Sequence, residues 1–147
     1  MKRTTVWLVA AVLPWASAAA QPAGSERPLA MSRMDTSLKW RPCPPIYTGG
    51  CRLAVLHGDP AKPNADVFLR VDGGTVLHNH RHSSAERIVL VSGKLRVAYA
   101  GSAPSILLAG HYAYGPAGAP HEARCLSKMP CTLFIAFEGP VDADLIK

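Results

Sequence analysis

The chain has 147 residues, which is enough for one domain with a real hydrophobic core and leaves little room for a second. Its 16 Lys and Arg residues outnumber 10 Asp and Glu residues, so the formal net charge is +6 at pH 7. The basic residues are scattered, and no basic run is interleaved with aromatic residues. Because nucleic-acid binding depends on such clustering, we expect no nucleic-acid partner.

The first twenty residues have the three parts of a secretory signal peptide. Lys2 and Arg3 form the positive part, Val6–Leu13 forms the apolar part, and small residues ending at Ala20 offer a cleavage site. The alternative is a membrane anchor, but the apolar run is interrupted by Pro14 and is too short to span a bilayer. We predict a signal peptide at residues 1–20, cleaved after Ala20, with export to the periplasm or the extracellular space. The mature chain keeps 14 basic and 10 acidic residues, a net charge of +4, and no membrane partner is expected.

Four cysteines remain after that cleavage: Cys43, Cys51, Cys125 and Cys131. In an oxidising compartment such cysteines form disulfides unless they bind a metal. Three connectivities are possible, and the spacing favours Cys43 with Cys51 and Cys125 with Cys131. Neither pair has the two-residue separation that is typical of zinc and redox motifs. We therefore predict structural disulfides, with a labile redox pair as the alternative.

Residues 21–50 form the first segment of the mature chain. They are polar and small at first, and from residue 38 to residue 50 they include three prolines and two glycines. This composition excludes a helix and a central strand. We predict a flexible or extended N-terminal arm over residues 21–50, with Trp40 and Ile46 as apolar anchors.

The rest of the chain alternates short β-prone runs with breaks at Gly and Pro, and no stretch has the apolar spacing of a substantial helix. Many short strands at regular spacing predict an all-β sandwich or barrel. We place this domain at residues 51–141 and a C-terminal tail at residues 142–147. The predicted strands are Leu53–His57, Val67–Val71, Thr75–Asn79, Ile88–Val91, Leu95–Ala100, Ile106–Leu108, Tyr112–Tyr114, His121–Cys125 and Thr132–Phe137.

Three alternating histidines lie at the end of the third of these runs and directly after it. His78, His80 and His82 lie two residues apart, so in an unbroken strand their rings point to one face. Glu86 follows after a short turn, and an antiparallel neighbouring strand can bring its carboxylate beside the imidazole row. The further candidate is His121, which follows a turn rich in Pro and Gly. Three imidazoles and one carboxylate suit a divalent first-row transition metal, whereas Ca and Mg prefer oxygen ligands.

Two spaced motifs in this region resemble those of the cupin superfamily, separated by sixteen residues. The first motif is fitted at every defined position by Gly74, His80, His82, Glu86 and Gly93. The second is fitted by Gly110, Pro116, Gly118 and His121. One departure is Cys125, which stands where the second motif usually ends in Asn. The chain resembles small exported bacterial cupins of largely unassigned function and, more distantly, the cupin part of zinc-dependent anti-sigma factors.

The resemblance implies a single small cupin barrel, a double-stranded β-helix or jelly roll, behind the N-terminal arm. It also implies that His80, His82, Glu86 and His121 bind one divalent transition metal, for which Mn, Fe, Ni, Cu and Zn are all candidates. In an octahedral sphere these four ligands leave two positions for water, substrate or dioxygen. Around four-coordinate zinc they close the sphere, and the metal is then structural.

Three further side chains are predicted at the pocket. His78 lies outside the motif's spacing, so we expect it in the pocket wall beside the ligands. Tyr112 and Tyr114 flank the second motif, where a hydroxyl could reach a substrate, and core packing is the alternative. The run Leu133–Phe137 is apolar on both faces, which predicts a strand that is central or is covered by the other subunit of a homodimer.

The expected function is that of an exported metalloenzyme with dioxygenase-like or metal-assisted chemistry on a small oxygenated substrate. No catalytic residue is assigned, because no second Asp or Glu stands beside the ligands and Glu86 cannot easily be both ligand and base. One alternative is a metal-binding, small-molecule-binding or sensor protein without turnover. The other is a structural domain whose pocket is a relic.

Overall fold

The computed structural model describes residues 27–47 and 49–146, so the predicted signal peptide and its cleavage site lie outside the described residues. The architecture below is that of the compact unit that begins at Met31. The described residues contain no helix long and apolar enough to cross a membrane.

The described residues form eleven β-strands and no helix, as the alternation of short β-prone runs with Gly and Pro breaks predicts. The all-β prediction is therefore confirmed. In chain order the strands are β1 (Arg41–Pro42), β2 (Cys51–His57), β3 (Ala65–Val71), β4 (Val76–Arg81), β5 (Glu86–Ser92), β6 (Lys94–Tyr99), β7 (Ser105–Leu108), β8 (Tyr112–Gly115), β9 (His121–Cys125), β10 (Cys131–Phe137) and β11 (Asp144–Leu145).

The strands form two antiparallel sheets. The six-stranded sheet has the order β1-β2-β3-β10-β5-β8, and the five-stranded sheet has the order β11-β4-β9-β6-β7. Because side chains alternate along each strand, one face of each sheet is apolar, and the two apolar faces form a common core. The core residues include Val67, Val71, Ile88, Leu90, Leu133 and Ile135 from the first sheet and Leu77, Leu95, Val97 and Ala123 from the second.

Strand β10 is central in its sheet, between β3 and β5, which explains why it is apolar on both faces. On its outer face Phe134 packs edge-on against Phe68, with ring centroids 6.5 Å apart. Leu38 and Trp40, from the segment before β1, belong to the same apolar cluster. The chain's own N-terminal segment therefore packs with this outer face, and the apolar pattern needs no second subunit.

Both predicted disulfides are present. Cys43 is bonded to Cys51 and Cys125 to Cys131, with Cα–Cα distances of 5.6 and 5.7 Å. The described residues contain no free cysteine. Cys125 ends β9 in one sheet and Cys131 begins β10 in the other, so this bond joins the two sheets covalently. The other bond ties the segment that follows β1 to the first residue of β2.

Candidate metal centre

Three buried histidines converge at one end of the core. His80 lies in β4, His82 follows that strand directly, and His121 begins β9 opposite His80 in the antiparallel register. Their candidate ligand nitrogens all lie within 4.8 Å of one another. This cluster could hold a metal ion, because imidazole nitrogens at such separations can share one first-row metal.

The orientation of each ring is set by a hydrogen bond from its Nδ1 atom to a backbone carbonyl oxygen. A carbonyl oxygen can only accept, so Nδ1 carries the hydrogen in every ring. In the neutral imidazole this leaves the lone pair on Nε2, which is the atom available to a metal. The bonds are from His80 to His78 O at 2.7 Å, from His121 to Ala119 O at 3.0 Å, and from His82 to Asp142 O.

Glu86 adds a buried carboxylate to this cluster from the other sheet. It begins β5, and its Oε1 lies 3.2 Å from His121 Nε2 while its Oε2 lies 3.5 Å from His82 Nε2. The Tyr99 hydroxyl donates a hydrogen bond to Oε1 at 3.4 Å. The two carboxylate oxygens therefore face two of the three rings, which brings together the four side chains of the cupin motifs.

The charges in this cluster are strongly coupled. Burial alone would raise the pKa of Glu86, but the hydrogen bond with His121 and the three imidazoles lower it below its ordinary value. Burial, together with the neighbouring His121 ring, lowers the pKa of His80 to about 4, so this ring is neutral at pH 7. Burial also acts to lower the pKa of His121, but the Glu86 carboxylate outweighs it and the pKa is raised. A negative carboxylate and a neutral His80 are suited to cation binding.

The side chain of His78 does not line the metal centre, which corrects the expectation from strand alternation. The register between β4 and β9 shifts between Leu77 and His80, so two residues of β4 face one residue of β9. This β-bulge turns both His78 and Asn79 outward. His78 instead contributes its backbone carbonyl oxygen, which accepts the hydrogen bond from His80.

The structure also places Tyr112 and Tyr114 away from the pocket. Their side chains are 58% and 48% exposed, whereas Ala113 between them packs against the core. The phase of β8 is set by Gly115, which lies opposite Glu86 in the register with β5. Since alternate residues share a face, Tyr112 and Tyr114 point outward and do not reach a molecule in the cavity.

Two other tyrosines contact the cluster and have no counterpart among the predicted site residues. The ring of Tyr47 meets His80 edge-on, with centroids 5.2 Å apart, and the ring of Tyr99 lies 4.9 Å from that of His121. Burial and the Glu86 carboxylate raise the pKa of both phenols, so both stay protonated at neutral pH. Tyr99 lies opposite His121 in the register of β6 and β9. The pairing of these two strands is the information that would have identified Tyr99 as a neighbour of the cluster.

Gly115 is a site residue for a steric reason. A Cβ atom at this position would lie 2.7 Å from Glu86 Oε1 and 2.8 Å from Glu86 Cγ. Such distances are closer than van der Waals contact allows, so only glycine leaves the carboxylate where it is. The sequence shows Gly115 only as part of a break before Pro116, so this role was not predicted.

A small cavity lies against the cluster. The volume open to the centres of water molecules is about 60 Å³, which is room for a few water-sized groups. Its wall includes the histidines and Glu86 of the cluster, Tyr47, Cys43 of the first disulfide, and residues 141–143. None of the described residues that line it is Lys or Arg. The apolar lining residues include Leu53, Leu69, Leu77, Ile88, Leu95, Val97, Leu133 and Ile135.

The fold and this cluster define a cupin. Residues 30–142 match the family model described as the ChrR cupin-like domain. The match covers most of the chain, and the protein belongs to this family. Comparison with curated protein sequences finds no match.

Solved structures of low sequence identity share the fold. One is a chain from the structures of the DMSP lyases RdDddP and RnDddQII, with a TM-score of 0.65, 18% identity, and coverage of 75% of this chain and 63% of that one. The DMSP lyase DddQ from Ruegeria pomeroyi DSS-3 has a TM-score of 0.63 and 18% identity, covering 74% of this chain and 60% of that one. KdgF from Halomonas sp. has a TM-score of 0.55 and 21% identity, covering 68% of this chain and 86% of that one. The chain thus spans less than two thirds of either lyase chain.

Removing one imidazole should remove the metal. We expect protein purified without a His tag to contain one equivalent of transition metal, and His82→Ala to weaken binding by at least about 100-fold, because a direct ligand matters more than its hydrogen-bond partner. Elemental analysis and metal titration measure this. His111→Ala is the matched control, since His111 is exposed and lies outside the cluster. Full occupancy of the His82→Ala variant would contradict the ligand assignment.

Adding one methyl group opposite Glu86 should weaken metal binding. We expect Gly115→Ala to displace the carboxylate and lower metal affinity by about 10-fold or more, as disruption of a ligand's support does elsewhere. The control is Gly101→Ala. A Cβ atom at Gly101 would have no heavy atom within 4 Å, and the φ of +77° makes the substitution strained without any contact to the cluster. That variant should lose some stability without losing metal affinity. Equal affinities in the two variants would show that the close approach does not matter.

Proposed function

We propose that this cupin binds one divalent transition metal through His80, His82, Glu86 and His121, and that its cavity presents a small oxygenated molecule to that metal. The observation that carries the proposal is the set of three Nδ1–carbonyl bonds, which leave the three Nε2 atoms as the possible metal ligands beside a buried carboxylate. Nε2 of His121 shares a hydrogen with Glu86, and it would release this hydrogen when it binds a metal. Nitrogen and carboxylate ligands fit Mn, Fe, Ni, Cu or Zn.

The proposed activity is dioxygenase-like or metal-assisted chemistry on this molecule. When bound, such a metal can polarise a ligand oxygen or supply a site for dioxygen. A dication with the Glu86 carboxylate would leave one net positive charge in a largely apolar cavity. A neutral or singly negative oxygen ligand is therefore favoured over a cation, which would be desolvated without a counter-charge.

The chain's own groups would orient the ligand and limit its size. The Tyr99 hydroxyl holds the Glu86 carboxylate by a hydrogen bond, and Tyr47, which lines the cavity beside His80, keeps its proton and can donate to a bound oxygen. The wall around that oxygen is largely aliphatic and offers it few other hydrogen-bond partners. The volume open to the centres of water molecules is only about 60 Å³, so the substrate proposed here is a small molecule.

Turnover should appear with a panel of small diketones, phenols and short acids when the protein is loaded with iron or manganese. We expect oxygen consumption or product formation with at least one member, and loss of about 100-fold or more in His82→Ala because the metal is absent. Product analysis and an oxygen electrode measure this. Saturable binding of panel members to metal-loaded protein without turnover would contradict the enzymatic proposal.

Binding without turnover is the second candidate, and the shortage of acid–base groups favours it. Asp142 lines the cavity, but its carboxylate oxygen Oδ1 already accepts the Ser83 N–H at 2.9 Å. Both phenols near the cluster stay protonated, and Glu86 is proposed as a ligand. In this case the metal or a small molecule is the signal, and four-coordinate zinc is the natural occupant.

Export and self-association complete the proposal. The two disulfides support an oxidising compartment, in line with cleavage after Ala20. A homodimer is supported by exposed apolar side chains on two edge strands, Ile106 and Leu108 on β7 and Tyr112 and Tyr114 on β8.

The dimer can be tested through this apolar surface. We expect sedimentation velocity to give a dimer at about 10 µM, and Leu108→Asp to shift it to monomer because a buried charge without a partner opposes association. Met129→Asp is a control at an exposed apolar position outside the two edge strands. A monomeric parent protein, or equal dissociation in both variants, would overturn the proposal.

A further inference from the structure

A second pocket lies on the outer face of the six-stranded sheet and shares no lining residue with the metal cavity. The volume open to the centres of water molecules is about 390 Å³, several times that of the metal cavity. Its polar lining consists of Arg33, Arg70, Ser92, Ser127 and Thr132, without a carboxylate. We propose that this pocket binds a small oxyanion of the phosphate or sulfate class.

The strand register brings the polar groups into one row. Arg52 on β2 lies opposite Arg70 on β3, Arg70 lies opposite Thr132 on β10, and Thr132 lies opposite Ser92 on β5. Neighbouring strands are about 4.8 Å apart, so an ion of a few ångströms can contact adjacent members of the row. The row faces away from the core, because the residues next to it along the strands are buried in the core, namely Cys51, Val71 and Cys131.

This row has an unbalanced positive charge. Arg52 and Arg70 are directly opposed, and like charges in that arrangement destabilise a sheet. Among the described residues, neither arginine has an ion pair with a carboxylate. Arg33 adds a third guanidinium from the segment before β1. A bound anion would offset the repulsion, so the charge pattern favours an anionic ligand.

The other sheet provides an internal comparison. Arg96 on β6 and Arg124 on β9 are also directly opposed, but there Arg96 Nη1 lies 2.6 Å from Glu122 Oε1. The chain therefore supplies its own carboxylate to one arginine pair and none to the other. The pair without a carboxylate is Arg52 and Arg70, and Arg70 lines the pocket.

Hydroxyl groups complete the proposed site. Ser127 Oγ accepts the Lys94 N–H at 2.8 Å, so its own hydrogen is directed elsewhere and is available to an anion. Ser92 Oγ is buried and has no hydrogen-bond partner in the described part of the chain. Such unpaired buried hydroxyls are uncommon, and this one belongs to a residue that lines the pocket. Guanidinium and hydroxyl donors without a competing carboxylate match the chemistry of a tetrahedral oxyanion.

The proposal can be tested by adding inorganic phosphate to the protein as purified, at constant ionic strength set with NaCl. We expect one equivalent to bind with a Kd of about 1 mM or tighter, as measured by calorimetry. Amide chemical shifts should change around Arg70, Ser127 and Thr132 and not around the metal cluster. Absence of saturation up to about 50 mM, or shifts confined to the metal cluster, would overturn the proposal.

Matched variants separate a specific site from general charge attraction. Arg70→Gln should weaken phosphate binding by about 10-fold or more, because it removes a charge-assisted hydrogen-bond donor. Arg33→Gln provides a second variant at an exposed position, and a smaller loss is expected there. Arg124→Gln, from the other arginine pair, should bind within about 2-fold of the parent protein. Equal losses for Arg70→Gln and Arg124→Gln would mean that only net charge matters.

Binding of three further anions distinguishes a site for a free tetrahedral ion from a site for a phosphorylated small molecule. Sulfate should bind like phosphate, and acetate more weakly, because it offers fewer acceptor oxygens. If glycerol 2-phosphate binds as tightly as phosphate, the site accepts phosphorylated small molecules. If it binds more weakly, the site is one for the free ion. Acetate binding as tight as phosphate binding would contradict a site for tetrahedral oxyanions.

Discussion

The hydrogen bonds from three imidazole Nδ1 atoms to backbone carbonyl oxygens are the interactions on which the candidate site depends. They set the rotation of each ring, so that the three candidate ligand nitrogens lie within 4.8 Å of one another. Two of the carbonyl oxygens lie only two residues before the ring that they hold. The third belongs to Asp142, sixty residues beyond His82, so the C-terminal segment is part of the same arrangement.

The cluster also depends on the packing of one sheet on the other. The three histidines belong to the five-stranded side and Glu86 to the six-stranded side. The distances from the Glu86 carboxylate to the imidazoles therefore depend on how closely the two sheets pack. Gly115 allows the carboxylate to lie between β8 and the imidazoles, since any larger residue would occupy its place. The Cys125–Cys131 bond joins the sheets where β9 ends and β10 begins. Core packing, one glycine and one covalent bond therefore all contribute to the site's geometry.

The all-β fold and both disulfides could be predicted from short-range spacing, and the four side chains that meet are those at which the chain resembles the two cupin motifs. His80, His82 and Glu86 lie within seven residues, and the turn between them allows few arrangements. The side chain of His78 was misplaced because a β-bulge is decided by the partner strand, here β9. Tyr112 and Tyr114 were misplaced because the phase of β8 follows from the contact between Gly115 and Glu86. Tyr47 reaches His80 from a loop without periodicity, so no local pattern identifies it.

The bond between Cys43 and Cys51 has a consequence for how the protein is handled. Cys43 forms part of the cavity wall, and Tyr47, which contacts His80, lies in the loop that the bond closes. A ligand that binds more tightly against the intact wall than against the reduced one favours the oxidised form of this pair, because the two equilibria are then linked. Dithiothreitol in a storage buffer is therefore not an inert additive for this cupin.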